Sequence, residues 1–213
     1  MLDGVDGSGK GVQTRRLLQA MLDASMPCIL TREPGGSIAA EDIRELLVNG
    51  DPDKWDSMTE LLLMVAARRA HLRDTIWPAL KQGSWVISDR FADSSRAFQG
   101  IAGELGLATV DKIHQISIGD FNPDLVLILD IDEHVALARA ESRGTGEDRF
   151  EKKGPQYHKK VRNAFRDIAS YNTDRYKLID ASGSMNEVTS KIISAVNSKF
   201  SLNLSFTEDP DEK

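Results

Sequence analysis

Short, nearly unbroken apolar runs alternate along the chain with longer stretches of helical periodicity. The runs fall at 27–31, 84–88, 124–130 and 176–180. They lack a polar–apolar alternation, which marks strands covered on both faces. Helical spacing of apolar residues covers 11–24, 38–49, 57–80, 107–118, 133–142, 155–172 and 184–199. Strand and helix in alternation predict crossover units, hence an α/β fold with a parallel β-sheet flanked by helices on both faces. Segment 143–154 is highly charged, carries three glycines and separates two helices, so it is expected to form a small mobile lid. No linker divides 1–199, which reads as a single domain. Residues 200–213 end in an acidic run and are expected to form a disordered tail.

Composition narrows the function classes. The 213 residues hold 27 Lys and Arg against 33 Asp and Glu, a formal charge of −6. That balance argues against broad nucleic-acid binding, which needs a basic face, while leaving room for a small basic pocket. Cys28 is the only cysteine, which excludes an internal disulfide and fits a reducing, cytoplasmic location. The longest apolar run, 61–67, is far short of the roughly 20 residues that cross a bilayer, so no membrane association is expected. The four histidines show no metal-ligand spacing, which argues against zinc.

The first chemical signal is Gly4-Val5-Asp6-Gly7-Ser8-Gly9-Lys10, the core of G-x-x-x-x-G-K-[S/T]. Glycines let such a loop wrap around phosphate oxygens with successive N–H groups pointing inward. The helix opened near Gly11 adds the positive end of its dipole, and Lys10 supplies a formal charge. Gly11 stands where the motif expects a hydroxyl, and Val12 follows it. Weaker nucleotide binding is therefore expected, with magnesium held by water, nucleotide phosphates and carboxylates elsewhere.

Other segments converge on the same edge of the sheet. Thr31-Arg-Glu33-Pro34-Gly-Gly36 follows one strand, and Asp89-Arg90 ends another. The carboxyl ends of parallel strands are where α/β folds bind ligands, and arginine there suits phosphate. Taken with the phosphate loop, Ala66-Ala-Arg68 and Asp93-Ser-Ser95-x-Ala-Phe98-Gln99-Gly100, these motifs resemble the thymidylate kinase family, in order and separation, from Gly4 to about Asn197. The resemblance implies a P-loop NTPase fold and transfer of a phosphoryl group from ATP to dTMP, giving dTDP, with Mg²⁺. It also implies a homodimer and a mobile lid.

Matching motifs residue by residue, the resemblance implies that residues Gly4 to Gly11 bind ATP. Asp6 would approach the acceptor sugar and the metal, with Asp89 and Glu151 as further metal candidates. Glu33 and Pro34 would line the acceptor pocket, Arg68 would hold the thymine, Arg90 the acceptor phosphate and Ser95 the base. Phe98 and Gln99 would border sugar and base, and Phe150 would cover the base. Gly7 replaces an arginine that some family members carry in the phosphate loop. Relatives with glycine supply the arginine from the lid, which assigns that role to Arg149, with Arg143 as the alternative. Lys10, Arg90 and Arg149 are thus the expected catalytic cations, and losing Arg149 is expected to slow turnover about 10³-fold.

The chain departs from the family inside the acceptor pocket. Met64 stands for a phenylalanine four residues before Arg68, and Phe98 for a tyrosine. Both relax the expected shape of the pocket, so a wider deoxynucleotide range, including dUMP, is one alternative function. Another is a non-catalytic nucleotide-binding protein, given Gly11 and Val12. The long 57–80 helix, apolar at 61–65, is the expected dimer surface. Only three residues precede Gly4, fewer than the five or six usual in a strand, so the expectation is an upstream start or a stunted first strand.

Overall fold

The structure, a computed structural model, describes residues 1–141 and 149–207. Five strands, β1 (Leu2–Gly4), β2 (Cys28–Arg32), β3 (Trp85–Asp89), β4 (Val126–Asp130) and β5 (Tyr176–Asp180), form one parallel sheet in the order β2-β3-β1-β4-β5. Val126 to Leu129 are each at most 1% exposed, so β4 is covered on both faces, as its unbroken apolar run requires. The helices are α1 (Lys10–Asp23), α2 (Ile38–Val48), α3 (Ser57–His71), α4 (Trp77–Lys81), α5 (Ala92–Ser95), α6 (Leu107–Ile118), α7 (Glu133–Glu141), α8 (Pro155–Tyr171) and α9 (Met185–Phe200). Helix α1 packs on α9 and along β1, β2 and β3, while α8 lies on β4 and β5.

Register places the chemistry. Leu2 sits opposite Asp89 on one side and Leu127 on the other. The three-residue β1 therefore delivers the phosphate loop beside the carboxyl end of β3. Backbone bonds lock that edge: Arg90 N–H donates to the Leu2 carbonyl and Glu33 N–H to the Asp89 carbonyl, both at 2.9 Å.

The structure corrects the sequence-based layout in several places. The expected 57–80 helix breaks into α3, a π-helical segment Leu72–Ile76, and α4. Pro78 lacks an N–H and its ring crowds the carbonyl of Asp74, so the backbone widens there. Periodicity missed α5 and the π-helical segment Arg96–Ala102 that extends it. Small Ala92, Ala97 and Gly100 and polar Asp93 and Gln99 are all buried there, leaving no apolar stripe to detect. Within the expected tail, Leu204 is buried, and its backbone N–H and carbonyl both bond the Asn197 amide. Residues 208–213 of the expected tail, and 143–148 of the expected lid, lie outside the described residues.

Candidate active site

The phosphate loop closes on its own lysine. Lys10 Nζ donates to the Val5 carbonyl at 2.8 Å and the Gly4 carbonyl at 3.1 Å. Burial, then repulsion from Arg90, lowers the Lys10 ammonium to about 8. Gly7 has φ +81°, and a Cβ on it would run into the Ala136 carbonyl of α7. An arginine side chain therefore has no room at this position of the loop. Thr14, the nearest hydroxyl along α1, bonds back to the Gly11 carbonyl and does not replace the one missing at Gly11.

Two clefts meet above this edge. The outer one encloses about 1970 Å³, part of it open to solvent, and is lined by Asp6 to Gln13 of the loop, Asp89, Arg139 and residues 183–185. The inner one encloses about 670 Å³, also partly open. It brings together Asp6, Glu33, Pro34, Met64, Arg68, Arg90, Ser95, Phe98, Gln99 and Phe150, the residues expected around the acceptor. Asp6, Glu33, Arg44, Arg90 and Glu151 line both clefts.

The inner cleft rests on buried ion pairs. Arg68 Nε donates to Glu33 Oε2 at 2.7 Å, and its Nη2 donates to the Phe91 carbonyl and Ser95 Oγ. His71 holds the other Glu33 oxygen at 3.2 Å and faces Thr31 Oγ1 at 2.6 Å. Gly36 lies so close to His71 and Thr31 that a Cβ would overlap both. Arg90, in the left-handed region at φ 73°, turns its guanidinium back over β1. It donates to Asp6 Oδ1 at 2.6 Å, the Gly4 carbonyl at 2.9 Å, Ser94 Oγ at 2.9 Å and Asp3 Oδ1 at 3.3 Å. Burial alone would raise Asp6, but the charges of Arg90 and Lys10 hold its carboxyl at about 2. For fully buried Asp3 the balance reverses: burial outweighs Arg90 and lifts it to about 6.

Arg149 is not brought to the phosphate loop. Its side chain is fully buried, donating to the carbonyls of Leu47, Asp51 and Pro52 and to Glu60 Oε1 at 2.6 Å. In this arrangement it pins the described end of the expected lid, from residue 149 on, to the α2–α3 region, which differs from the expected reach toward a transferring group. Its neighbours do face the inner cleft: Phe150 lines it and meets Phe98 edge-on at 5.8 Å. Arg143 lies outside the described residues.

Of the expected metal residues, Asp6, Asp89 and Glu151 all line the outer cleft. Among the described residues no three ligating side chains cluster. Asp89 Oδ1, however, is buried without a hydrogen-bond partner beside the phosphate loop. One such oxygen fits Mg²⁺, which is usually held by one or two carboxylates together with water and phosphate oxygens.

Sequence reasoning overlooked Arg44, Asp3 and Arg139. Arg44 donates to the Pro34 carbonyl at 2.8 Å and borders both clefts. Its signal was present: Ala40, Arg44 and Val48 fall on one face of α2, a lone cation among buried apolar residues. Asp3, a carboxylate inside an otherwise buried strand, was the other readable anomaly.

The sequence profile of the family described as thymidylate kinase matches residues 2–192. Thymidylate kinase of Dinoroseobacter shibae is 49% identical over 192 residues, covering 90% of this chain and 92% of the relative. That of Caulobacter vibrioides is 44% identical, covering 94% and 96%. The crystal structure of thymidylate kinase from Ehrlichia chaffeensis is similar with a TM-score of 0.74 at 31% identity, covering 92% of this chain and 96% of that one.

Proposed function

The chain belongs to the thymidylate kinase family, and from that premise we propose how its residues divide the reaction between the two clefts. The reaction is ATP-dependent phosphorylation of dTMP to dTDP, with Mg²⁺ as the usual metal. The outer cleft takes ATP, its phosphates cradled by Gly4 to Gly11. The inner cleft takes dTMP, its phosphate toward Arg90 and its base toward Arg68, Ser95 and Gln99. The observation that carries this division is the shared wall: Asp6 and Arg90 line both clefts, so the two phosphates approach each other there.

The acceptor is a phosphate oxygen already ionised at neutral pH, so the transfer needs alignment and charge neutralisation more than a strong base. Lys10 donates toward the ATP phosphates. Arg90 exchanges Asp6 for the acceptor phosphate, which guanidinium matches bidentately. Asp89, with Asp6 and Glu151 on the same cleft, would hold Mg²⁺, which when bound would neutralise charge on the phosphates. Phe150 and Phe98 exclude water that would otherwise compete as acceptor. Arg149 serves by fixing Phe150 and Glu151 over the inner cleft.

Residues 1–199 act as one domain, with the lid completing the outer cleft. Among the described residues no helix is long and apolar enough to cross a membrane, and a cytoplasmic homodimer is the assembly proposed. Leu62, 53% exposed on α3, supports pairing through that helix. The test is product detection with ATP and dTMP on the purified chain, joined to calorimetry of each nucleotide. Formation of dTDP is expected; binding without product would favour the non-catalytic reading.

A further inference from the structure

One buried carboxylate joins the lid segment to the inner cleft. Glu60 is 1% exposed. Its Oε1 accepts from Arg149 Nη2 at 2.6 Å and from Lys153 Nζ at 2.5 Å, the two cations bracketing Phe150 and Glu151. Its Oε2 accepts from Gln99 Nε2 at 3.0 Å. A carboxylate has no proton to give, so this bond decides which end of the Gln99 amide faces away from it. The remaining end is Gln99 Oε1, buried, without a hydrogen-bond partner, on a side chain that lines the inner cleft. A buried acceptor left open is costly unless a donor arrives.

We propose that Glu60 is a positioning residue for base selection: by holding Nε2 of Gln99 it presents Oε1 to the acceptor base, and so selects bases with a ring N–H over those with a bare ring nitrogen. Thymine and uracil carry that N–H; cytosine has a lone pair there and meets the oxygen as a second acceptor. This rests on the reading that the base lies against Gln99. The same carboxylate holds the segment carrying Phe150, so base identity and closure of the cleft share one support.

The consequence of replacing Glu60 with its amide is directional. In Glu60→Gln the single remaining oxygen is claimed by Arg149 and Lys153. The new NH₂ then faces Gln99, whose amide must turn over to accept from it. Gln99 would now offer a donor to the base, the pattern suited to cytosine.

The experiment compares kcat/KM for dTMP and dCMP, with ATP, in the unmodified chain, Glu60→Gln, Gln99→Leu and the double variant. The dTMP-to-dCMP ratio is expected to fall at least about tenfold in Glu60→Gln, mainly through the monophosphate KM, with the ATP KM unchanged. Gln99→Leu should lower the ratio as well, and adding Glu60→Gln to it should lower it no further. If Gln99→Leu keeps the original ratio, the base does not lie against Gln99 and the inference falls with that reading. If Gln99→Leu loses selectivity while Glu60→Gln keeps it, the base reading stands and the inference alone is overturned. Glu60→Asp covers the case in which the amide variant does not fold. It keeps the charge but withdraws it from Gln99, and an unchanged ratio there is equally fatal.

Discussion

Arg90 Nη2 stands 2.6 Å from Asp6 Oδ1, a strand-end cation closed on a phosphate-loop carboxylate where the two clefts join. The charges of Arg90 and Lys10 keep half-buried Asp6 ionised. On the proposed division of the clefts, an incoming acceptor phosphate would compete with Asp6 for the same guanidinium. Replacing Arg90 with Met removes that competition and its charge, and should lower kcat/KM for dTMP about 10³-fold, the low end of arginine effects on phosphoryl transfer. ATP affinity, read by calorimetry, should change far less. A variant within tenfold of the parent in coupled ADP release would remove Arg90 from the acceptor phosphate.

Arg149 leads to a different expectation. Removing it leaves three carbonyls without their buried donor and Glu60 with Lys153 as its one remaining cation. Arg149→Ala should destabilise the fold by about 3 kcal/mol, the low end for breaking a buried pair, because Lys153 still holds Glu60. Denaturant titration measures this directly. An unchanged unfolding free energy combined with a 10³-fold loss of kcat would return Arg149 to the transferring phosphoryl group.

If Lys10 meets the ATP phosphates as proposed, donor binding should depend on pH. Its ammonium sits at about 8, below its ordinary 10.5, because burial and Arg90 oppose its charge. A bound polyphosphate favours the charged form and raises that value. ATP affinity should therefore weaken as pH rises through about 8, and binding above it should take up a proton. Calorimetry at pH 9 in buffers of different ionisation enthalpy reads the uptake. Equal heats across buffers would show that Lys10 is already fully charged before ATP binds.

Gly7 couples the phosphate loop to α7. Alanine there meets the Ala136 carbonyl and must keep φ +81°. The strain, of order 1–3 kcal/mol, should lower the melting temperature and raise the ATP KM. A Gly7→Ala chain that melts and binds ATP like the parent would mean that α7 shifts freely away from the loop.

What the sequence disclosed follows from how local each signal is. The phosphate loop is contiguous, so its residues and fold could be read together. Glu33, Arg68 and Ser95 come from three segments, yet each lies in a distinctive motif, and the structure gathers them around one cleft. Arg149 was legible only as a lid arginine, because its partner Glu60 lies 89 residues earlier and nothing in the sequence links them. Glu60 itself reads as an ordinary first-turn acid of α3. The π-helical turn Leu72–Ile76 was hidden for another reason: a 3.6-residue period reads one unbroken helix straight through it.

The wall shared by the two clefts includes the Asp6–Arg90 pair. On the proposed division the acceptor phosphate opens that pair, and Asp6, released from Arg90, is then free toward the outer cleft, where ATP would bring its metal. Occupancy on one side should therefore strengthen binding on the other, and by linkage the reinforcement is equal in both directions. The enzyme would then be cooperative within a single chain, its two substrates acting as effectors for one another before any chemistry begins.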